Sequence, residues 1–173
     1  KIMQKSLTKN SIYNIIYTIA NILFPFATSI YVSRILLPAG VGKVASAQNI
    51  VSYFVTLAAL GLPSYGVREF AKVREKKHES NKLFTELLLV NIISTTLAVV
   101  GFIGLVVANE GFSGQWALYA ACGLSIAFNY LNIDWMYQGL EEYGYITGRS
   151  LLIKGISLLA LFLFVKTRED YVI

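Results

Sequence analysis

Four charged residues lie within or at the rim of long apolar stretches of this sequence: Arg34, Glu86, Asp134 and Lys154. A charge in hydrocarbon is costly, so each is expected to pair, to reach the headgroups or to meet a charged ligand. Lys154 is the most informative, because it lies about 10 Å beyond Thr147 along the same helix face. We predict that Lys154 and Arg34 attract an anion, while Asp134 or Glu86 pairs with them when no anion is bound. The alternative for each residue is a snorkelling anchor or a structural ion pair.

Polar residues also recur at helical spacing in four of the apolar stretches, and steps of three or four residues place each row on one helix face. With the residues that share their phase, the rows are Asn10, Asn14, Thr18, Asn21, Pro25 and Thr28; Asn49, Ser52 and Thr56; Cys122, Ser125, Asn129 and Asn132; and Thr147, Ser150, Lys154 and Ser157. Unpartnered polar groups in hydrocarbon cost a few kcal/mol, so the rows are expected to converge on one another or on a water-filled cavity. The candidate cavity residues are Asn14, Asn21, Asn49 and Asn129. Alternatively, these side chains form interhelical hydrogen bonds.

The elements that carry these rows are expected to be membrane-spanning helices. The 173 residues are 55% hydrophobic and 14% charged, with a mean hydropathy of +0.58, which excludes a water-soluble domain and a disordered polyelectrolyte. Backbone groups in lipid must be satisfied internally, so the helical periodicity predicts a polytopic all-α bundle. Five spans are predicted, at residues 11–36, 44–62, 83–108, 116–138 and 147–165.

The distribution of Lys and Arg predicts the orientation of these spans. One side carries eleven of them, namely Lys1, Lys5, Lys9, Arg68, Lys72, Arg74, Lys76, Lys77, Lys82, Arg149 and Lys154. The other side carries four, namely Arg34, Lys43, Lys166 and Arg168. The N-terminus is therefore expected in the cytoplasm. The net charge of +5 is explained by topology and requires no nucleic acid.

The basic segment at residues 66–82 predicts an amphipathic helix on the cytoplasmic surface. Its apolar residues Val67, Phe70, Ala71 and Val73 would lie against the headgroups, with the basic residues facing anionic lipid. The chain stops where apolar character is returning, so we expect it to belong to a longer protein. The first span is expected to be retained, because four more spans follow it.

The remaining reactive residues do not suggest catalysis. His78 lies in a solvated charged run without a second His or Cys to share a metal. Cys122 is the single cysteine, which excludes a disulfide framework, and is expected to fill space. The sequence has neither a credible Ser–His–Asp arrangement nor a phosphate-binding loop. We therefore expect no enzyme, no cofactor and no metal site.

Three separated strings resemble a known transporter group. They are residues 33–42 (SRILLPAGVG), residues 61–69 (GLPSYGVRE), and residues 134–142 (DWMYQGLEE) followed by 146–150 (ITGRS). Together they resemble the N-terminal part of Wzx-type flippases, the O-antigen and capsular polysaccharide transporters of the multidrug/oligosaccharidyl-lipid/polysaccharide superfamily. The resemblance covers almost the whole chain. It departs from the family pattern at Leu37, where Gly is more usual, and at Ala39, where Glu is more usual.

The resemblance implies a transporter of twelve or fourteen helices in two lobes around a central cavity, with residues 1–173 forming part of the first lobe. Such flippases move undecaprenyl-diphosphate-linked oligosaccharide across the bacterial inner (cytoplasmic) membrane for polysaccharide biosynthesis, by alternating access. On this interpretation the polar rows of spans one, two, four and five wall the cavity, and Lys154 and Arg34 attract the diphosphate. The implied partners are the lipid-linked oligosaccharide, membrane lipids, a coupling ion and other polysaccharide assembly proteins. One partial lobe is expected to be inactive alone.

Two other functions stay open at this point. A cation-coupled multidrug exporter of the same superfamily would need acidic residues near the midplane, whereas Glu86 and Asp134 lie near span ends. A non-transporting structural membrane protein would use the polar rows as helix contacts. Its basic segment would then recruit a cytoplasmic partner.

Overall fold

The computed structural model describes residues 7–167, which form helices joined by short connections, without a strand in that part of the chain. The predicted all-helical class is confirmed. Three helical stretches, Asn10–Val73, Lys77–Ala108 and Tyr143–Phe164, are long and apolar enough to cross a membrane. Trp116–Leu131 is a shorter apolar stretch. The chain is therefore a polytopic helical membrane protein.

Helix α1 spans Leu7–Ala59 and is broken at Leu37, whose φ of 57° and ψ of 173° are not helical. Pro38 follows directly, and the residue before a proline is sterically kept out of the α conformation. The break divides α1 into a first arm, residues 7–36, and a second arm, residues 38–59. The arms contain most of the first and second predicted spans, and the connection between them is shorter than predicted.

Helix α2 spans Leu62–Val73 and leaves α1 through a tight turn. Leu60 and Gly61 both have positive φ there, 44° and 73°. Pro63 lies in the first turn of α2, where its missing N–H costs nothing. Since α3 begins at Lys77, the predicted continuous amphipathic helix over residues 66–82 is wrong.

Phe70 and Val67 of α2 pack inside the protein instead of lying on headgroups, which corrects a second prediction for this segment, whereas Ala71 is exposed. Phe70 is fully buried, and its ring centroid lies 5.6 Å from that of Trp135. A Cβ on Gly66 would lie 2.7 Å from the Trp135 ring, so only glycine allows this approach. Val67 is half-buried at the same contact, and Leu62 completes the cluster.

Helix α3 spans Lys77–Ala108 and leads through a 3₁₀ turn at Glu110–Gln115 into α4, Trp116–Ala127. The main hydrophobic core lies where α3, α4 and the second arm of α1 meet. It contains Ala47, Val51, Ala58, Ala98, Phe102, Leu118, Tyr119 and Ile126. These three elements hold one another through small and aromatic residues at close distance, such as Phe54 and Phe102 at 5.5 Å between centroids.

The fourth predicted span, residues 116–138, is not one helix. The α-helical part ends at Ala127, a 3₁₀ turn covers Phe128–Leu131, and α5 begins at Asp134. Freed backbone groups find side-chain partners: Asn91 donates to the Asn129 carbonyl at 3.0 Å, and the Trp135 indole donates to the Asn132 carbonyl at 2.8 Å. Hydrogen bonds of this kind, from side chains to freed backbone carbonyls, allow non-helical backbone within a membrane.

Helix α5, Asp134–Gly139, connects to α6, Tyr143–Phe164, which packs along the first arm of α1. Near one end of this contact Thr147 donates to the Tyr13 carbonyl at 3.1 Å. Near the other end Tyr31 donates to the Val165 carbonyl at 3.0 Å, and its ring meets Phe162 edge-on at 4.5 Å. Since the contacts advance in the same sense along both helices, the first arm and α6 run side by side in the same direction along most of α6.

Candidate functional site

A cleft of about 630 Å³ lies between the two arms of α1, α4 and the end of α6. Both arms contribute to one cleft, so α1 turns back on itself at Leu37. The polar lining residues are Thr28, Ser29, Ser33, Gln48, Cys122 and Ser125. Among the described residues no charged side chain lines it. The cleft is therefore uncharged and mostly apolar, with polar groups at six positions, and its volume is of the size that small-ligand pockets usually have.

The hydroxyl groups of the first arm are arranged as hydrogen-bond acceptors. Thr28 donates to the Phe24 carbonyl at 3.0 Å, Ser29 to the Phe26 carbonyl at 2.9 Å, and Ser33 to the Ser29 carbonyl. Each donor is thus used within its own helix, which leaves the oxygen lone pairs available. The cleft wall can accept hydrogen bonds from a ligand rich in hydroxyl groups.

Two of the four predicted rows contribute to this cleft. Pro25 and Thr28 come from the row of the first span, and Cys122 and Ser125 from the row of the fourth. The row of the second span does not reach it: Asn49 is exposed, and Ser52 and Thr56 donate to carbonyls of their own helix. The expectation that the rows of four spans wall one cavity is therefore wrong.

Lys154 and Asn21 meet between α6 and the first arm, where the Lys154 ammonium donates to the Asn21 side-chain oxygen. The rings of Tyr17 and Phe24 flank the ammonium, with centroids at 5.8 and 6.0 Å from Nζ. Within residues 7–167 no carboxylate forms a salt bridge with it. A half-buried ammonium held by a neutral amide and two aromatic faces can accept an anion without displacing a carboxylate.

The Lys154 position is separate from the cleft. Asn21 lies seven residues before Thr28 on the first arm, about 10 Å by helical rise. Thr147, which bonds the first arm through Tyr13, lies on the same face of α6 as Lys154 but further from the cleft. The contact between the first arm and α6 therefore presents one cation, and the hydroxyl-lined space begins about two turns beyond it.

The other predicted charges pair differently from the expectation. Asp134 accepts from Arg149 of α6, and Glu86 lies 3.9 Å from Lys82 one turn earlier on α3. Neither acid pairs with Lys154 or Arg34, so that prediction is wrong. Arg34 is exposed, next to the cleft residue Ser33 but outside the cleft lining.

Asn129 points away from the cleft into a buried polar cluster with α3. Its amide nitrogen donates to the Asn91 side-chain oxygen at 2.9 Å and to the Thr95 hydroxyl at 2.8 Å. Ser94, on the same face of α3, donates to the Ala58 carbonyl at 2.7 Å. For Asn129 the structure thus shows an interhelical contact. Asn14 is exposed on the first arm and does not line the cleft.

Two groups of residues escaped the sequence prediction. The third span carries a polar row of its own, formed by Asn91, Ser94 and Thr95. These residues follow at steps of three and one, which places them on one helix face, but the sequence prediction did not include them. Arg149 was counted only as a topological charge, yet it pairs with Asp134 across α5 and α6. Its spacing from Asp134 carries no sequence signal, because the contact depends on the turn between the two helices.

The basic face of α2 is partly neutralised. Lys72 and Arg68 both donate to Glu69, at 2.8 and 3.1 Å. The hydrogen bond from Lys72 is the largest cause that holds the pKa of Glu69 below its usual value. Arg74 pairs with Glu141 at 2.5 Å. This surface therefore carries fewer free cations than the sequence suggests.

The structure combines broken helices with a cleft that carries hydroxyl groups and an ammonium that lies apart from it. These features are typical of a helical membrane protein with an interior site for a polar ligand. The chain belongs to the polysaccharide biosynthesis protein family, because the model of that family matches residues 7–173. The resemblance found in the sequence is thus confirmed at the level of the family.

Two relatives carry the name "Putative O-antigen transporter". The relative from Escherichia coli (strain K12) is 21% identical over 168 residues, which cover 97% of this chain and 40% of the relative. The relative from Shigella dysenteriae is 27% identical over 157 residues, which cover 88% of this chain and 38% of the relative. The chain spans about two fifths of the length of these relatives. No solved structure matches it significantly.

Proposed function

We propose that this chain forms part of the first lobe of a flippase that moves a lipid-linked oligosaccharide across the bacterial inner (cytoplasmic) membrane. Its family and the names of its relatives support a role in polysaccharide transport. The observation that carries the proposal is the contact of Lys154 with Asn21 beside an uncharged, hydroxyl-lined cleft. A lipid-linked oligosaccharide has the matching chemistry, since it joins an anionic diphosphate to neutral, hydroxyl-rich sugars.

In this proposal the two parts of the site bind different parts of the cargo. The ammonium of Lys154 offsets the diphosphate charge, which is otherwise costly to bring into the membrane. Sugar hydroxyls replace their water hydrogen bonds with bonds to Thr28, Ser29 and Ser33. With the N-terminus in the cytoplasm, the cleft lies toward the outer leaflet and Lys154 closer to the cytoplasmic side.

Transport itself would follow from alternating access, in which two lobes rock around the site. Since the chain spans about two fifths of its relatives, we propose that the rest of the transporter supplies the second lobe. No step of this mechanism needs covalent chemistry, so we propose transport without enzymatic activity. The exporter alternative is less well supported, because Asp134 pairs with Arg149 of α6 and Glu86 is exposed, 3.9 Å from Lys82.

The test uses the full-length gene product, reconstituted into vesicles with a fluorescent lipid-linked oligosaccharide. Lys154→Gln should slow the appearance of the label in the opposite leaflet by at least about tenfold, the effect expected for one lost charge-assisted hydrogen bond. Lys154→Arg keeps the charge and should stay within about threefold of wild type.

Thermal unfolding of both variants serves as the control for folding. Unchanged transport by Lys154→Gln would overturn the proposed role of this cation. Loss of transport with an equal loss of thermal stability in both variants would favour the structural alternative, in which Lys154 and Asn21 only hold two helices together.

A further inference from the structure

The ion pair between Asp134 and Arg149 leaves part of the arginine unused. Arg149 donates one N–H, from Nη2, to Asp134. Its Nε is buried and has no hydrogen-bond partner. A buried donor without an acceptor is costly, and an arginine fork can hold an oxyanion through two parallel bonds. The ion pair therefore uses only some of the N–H donors of this guanidinium.

The site is open enough for a ligand to reach. The side chains of Arg149 and Asp134 are 34% and 25% exposed, so neither is sealed in the protein. The ring of Tyr145 lies 6.0 Å from the guanidinium carbon, and Tyr137 packs on Tyr145 at 4.6 Å between centroids. Tyrosines beside a cation are typical of the headgroup zone of a membrane.

Arg149 and Lys154 are two distinct positions. They are five residues apart on α6, about 7.5 Å along the axis but about 140° around it. Lys154 faces the first arm through Asn21, whereas Arg149 faces α5 through Asp134. An anion held at Arg149 therefore does not occupy the Lys154 position.

We propose that Arg149 is a binding residue for an organic diphosphate at the cytoplasmic mouth, and that Asp134 is its displaceable counter-ion. The inference rests on the proposed function, because the lipid-linked cargo is the diphosphate that would bind there. The ligand oxyanion takes the place of the Asp134 carboxylate and also accepts from Nε. Asp134 thus competes with the ligand and lowers its affinity.

A purely structural ion pair makes opposite predictions. If Asp134 only fastens α5 to α6, then Asp134→Asn weakens the fold and any site built on it. Exchanging the two charges, Asp134→Arg with Arg149→Asp, would then restore the wild-type behaviour. If Arg149 binds the ligand, Asp134→Asn strengthens binding, and the exchange does not restore it because a carboxylate has replaced the guanidinium on α6.

The experiment measures the binding of geranyl diphosphate to the full-length gene product in phosphatidylcholine nanodiscs. Geraniol tests whether the diphosphate is needed. Inorganic pyrophosphate and phosphatidylglycerol, added as competitors, test whether a free anion or a lipid headgroup binds in the same place. The matched control is Arg74→Gln, which removes a different arginine–carboxylate pair, that of Arg74 with Glu141, but leaves Arg149 intact.

We expect Arg149→Gln to weaken binding by at least about tenfold, as the loss of charge-assisted hydrogen bonds requires. Asp134→Asn should tighten binding several-fold, and Arg74→Gln should leave it unchanged. Geraniol should not bind. Displacement of the probe by phosphatidylglycerol alone would reassign the site to a membrane headgroup and overturn its role toward the cargo.

Weaker binding in Asp134→Asn, full recovery in the exchanged variant, or a wild type that does not bind the probe would each overturn the inference. These outcomes are independent of the transport test. A wild type that transports its cargo but ignores the probe refutes only the Arg149 site. A wild type that binds as expected but does not transport refutes the flippase and leaves the anion site in place.

Discussion

Leu37 occupies a backbone conformation that side chains with a Cβ adopt only under strain. Its φ of 57° with ψ of 173° falls in a region that is almost restricted to glycine. The family pattern that this sequence resembles has glycine more often at this position. The side chain is exposed, so it gains little from packing. Strain at Leu37 is therefore held by the surrounding helices rather than compensated locally.

We expect Leu37→Gly to stabilise the protein by about 1 kcal/mol, because relief of about 1–3 kcal/mol of strain exceeds the entropy that glycine adds to the unfolded state. Leu36→Gly is the control, since Leu36 is buried and helical and should lose stability on substitution. Thermal unfolding in detergent measures both. A lower melting temperature for Leu37→Gly would show that its side chain stabilises the bend.

Single residues were predictable where helical phase decides their position. The steps between Asn21 and the residues around it, and between Thr147 and Lys154, fixed the faces on which the two rows lie, and the structure brings those faces together. The partner of Asp134 was not predictable. It depends on the turn after Gly139, where Glu141 has a φ of 59°, and no periodicity reports such a turn.

At the scale of elements, α5 is held by close packing on α2. A Cβ on Gly139 would collide with Phe70 and would lie 3.0 Å from the Val67 carbonyl oxygen. Gly66 allows the equivalent approach of Trp135 from the other side. Two of the strings that carry the family resemblance, residues 61–69 and 134–142, therefore meet in one contact. Their spacing in sequence gave no indication of this contact.

Gly139→Ala should destabilise the protein by about 1–3 kcal/mol, because neither the carbonyl nor the Phe70 Cβ can move without shifting α2. Gly148→Ala is the matched control on α6, where an added Cβ meets nothing within 4 Å. That change should be neutral or stabilise by up to about 1 kcal/mol through helix propensity. Urea or thermal unfolding distinguishes them, and equal effects would refute the packing argument.

The break in the fourth predicted span shows why the ends of a helix are harder to predict than its existence. Residues 116–138 are apolar enough for one helix, and nothing local forbids it. Asn129 turns instead toward Asn91 and Thr95 of α3, and these tertiary hydrogen bonds replace those of a continuing helix. Local sequence predicts a helix, and a partner 34 to 38 residues away ends it.

At the scale of the whole molecule, the cleft should hold water while the outer faces of the helices lie in lipid. Cys122 lines the cleft, whereas Leu97 is exposed on α3 away from it. In the full-length gene product, with any cysteine other than Cys122 replaced, a charged thiol reagent should modify Cys122. The same reagent should react at least about tenfold more slowly with Leu97→Cys in a Cys122→Ala background, since thiolate forms poorly in hydrocarbon.

Labelling in intact membranes checks this prediction, and labelling after detergent solubilisation is the control for reagent access to Leu97→Cys. Rapid reaction of Leu97→Cys in the membrane, together with an inert Cys122, would mean that the wet surface lies on the other side of the bundle. The outcome does not depend on which cargo is transported.

The bend at Leu37 also limits the routes that any occupant of the cleft can follow. Two of its walls belong to one uninterrupted polypeptide that reverses direction at a single residue. Those walls are tethered there by covalent bonds and cannot part at that end without breaking the hairpin. We therefore expect entry and exit through gaps away from the bend, so that mobility at the ends of the arms far from Leu37 matters more than mobility at the bend itself.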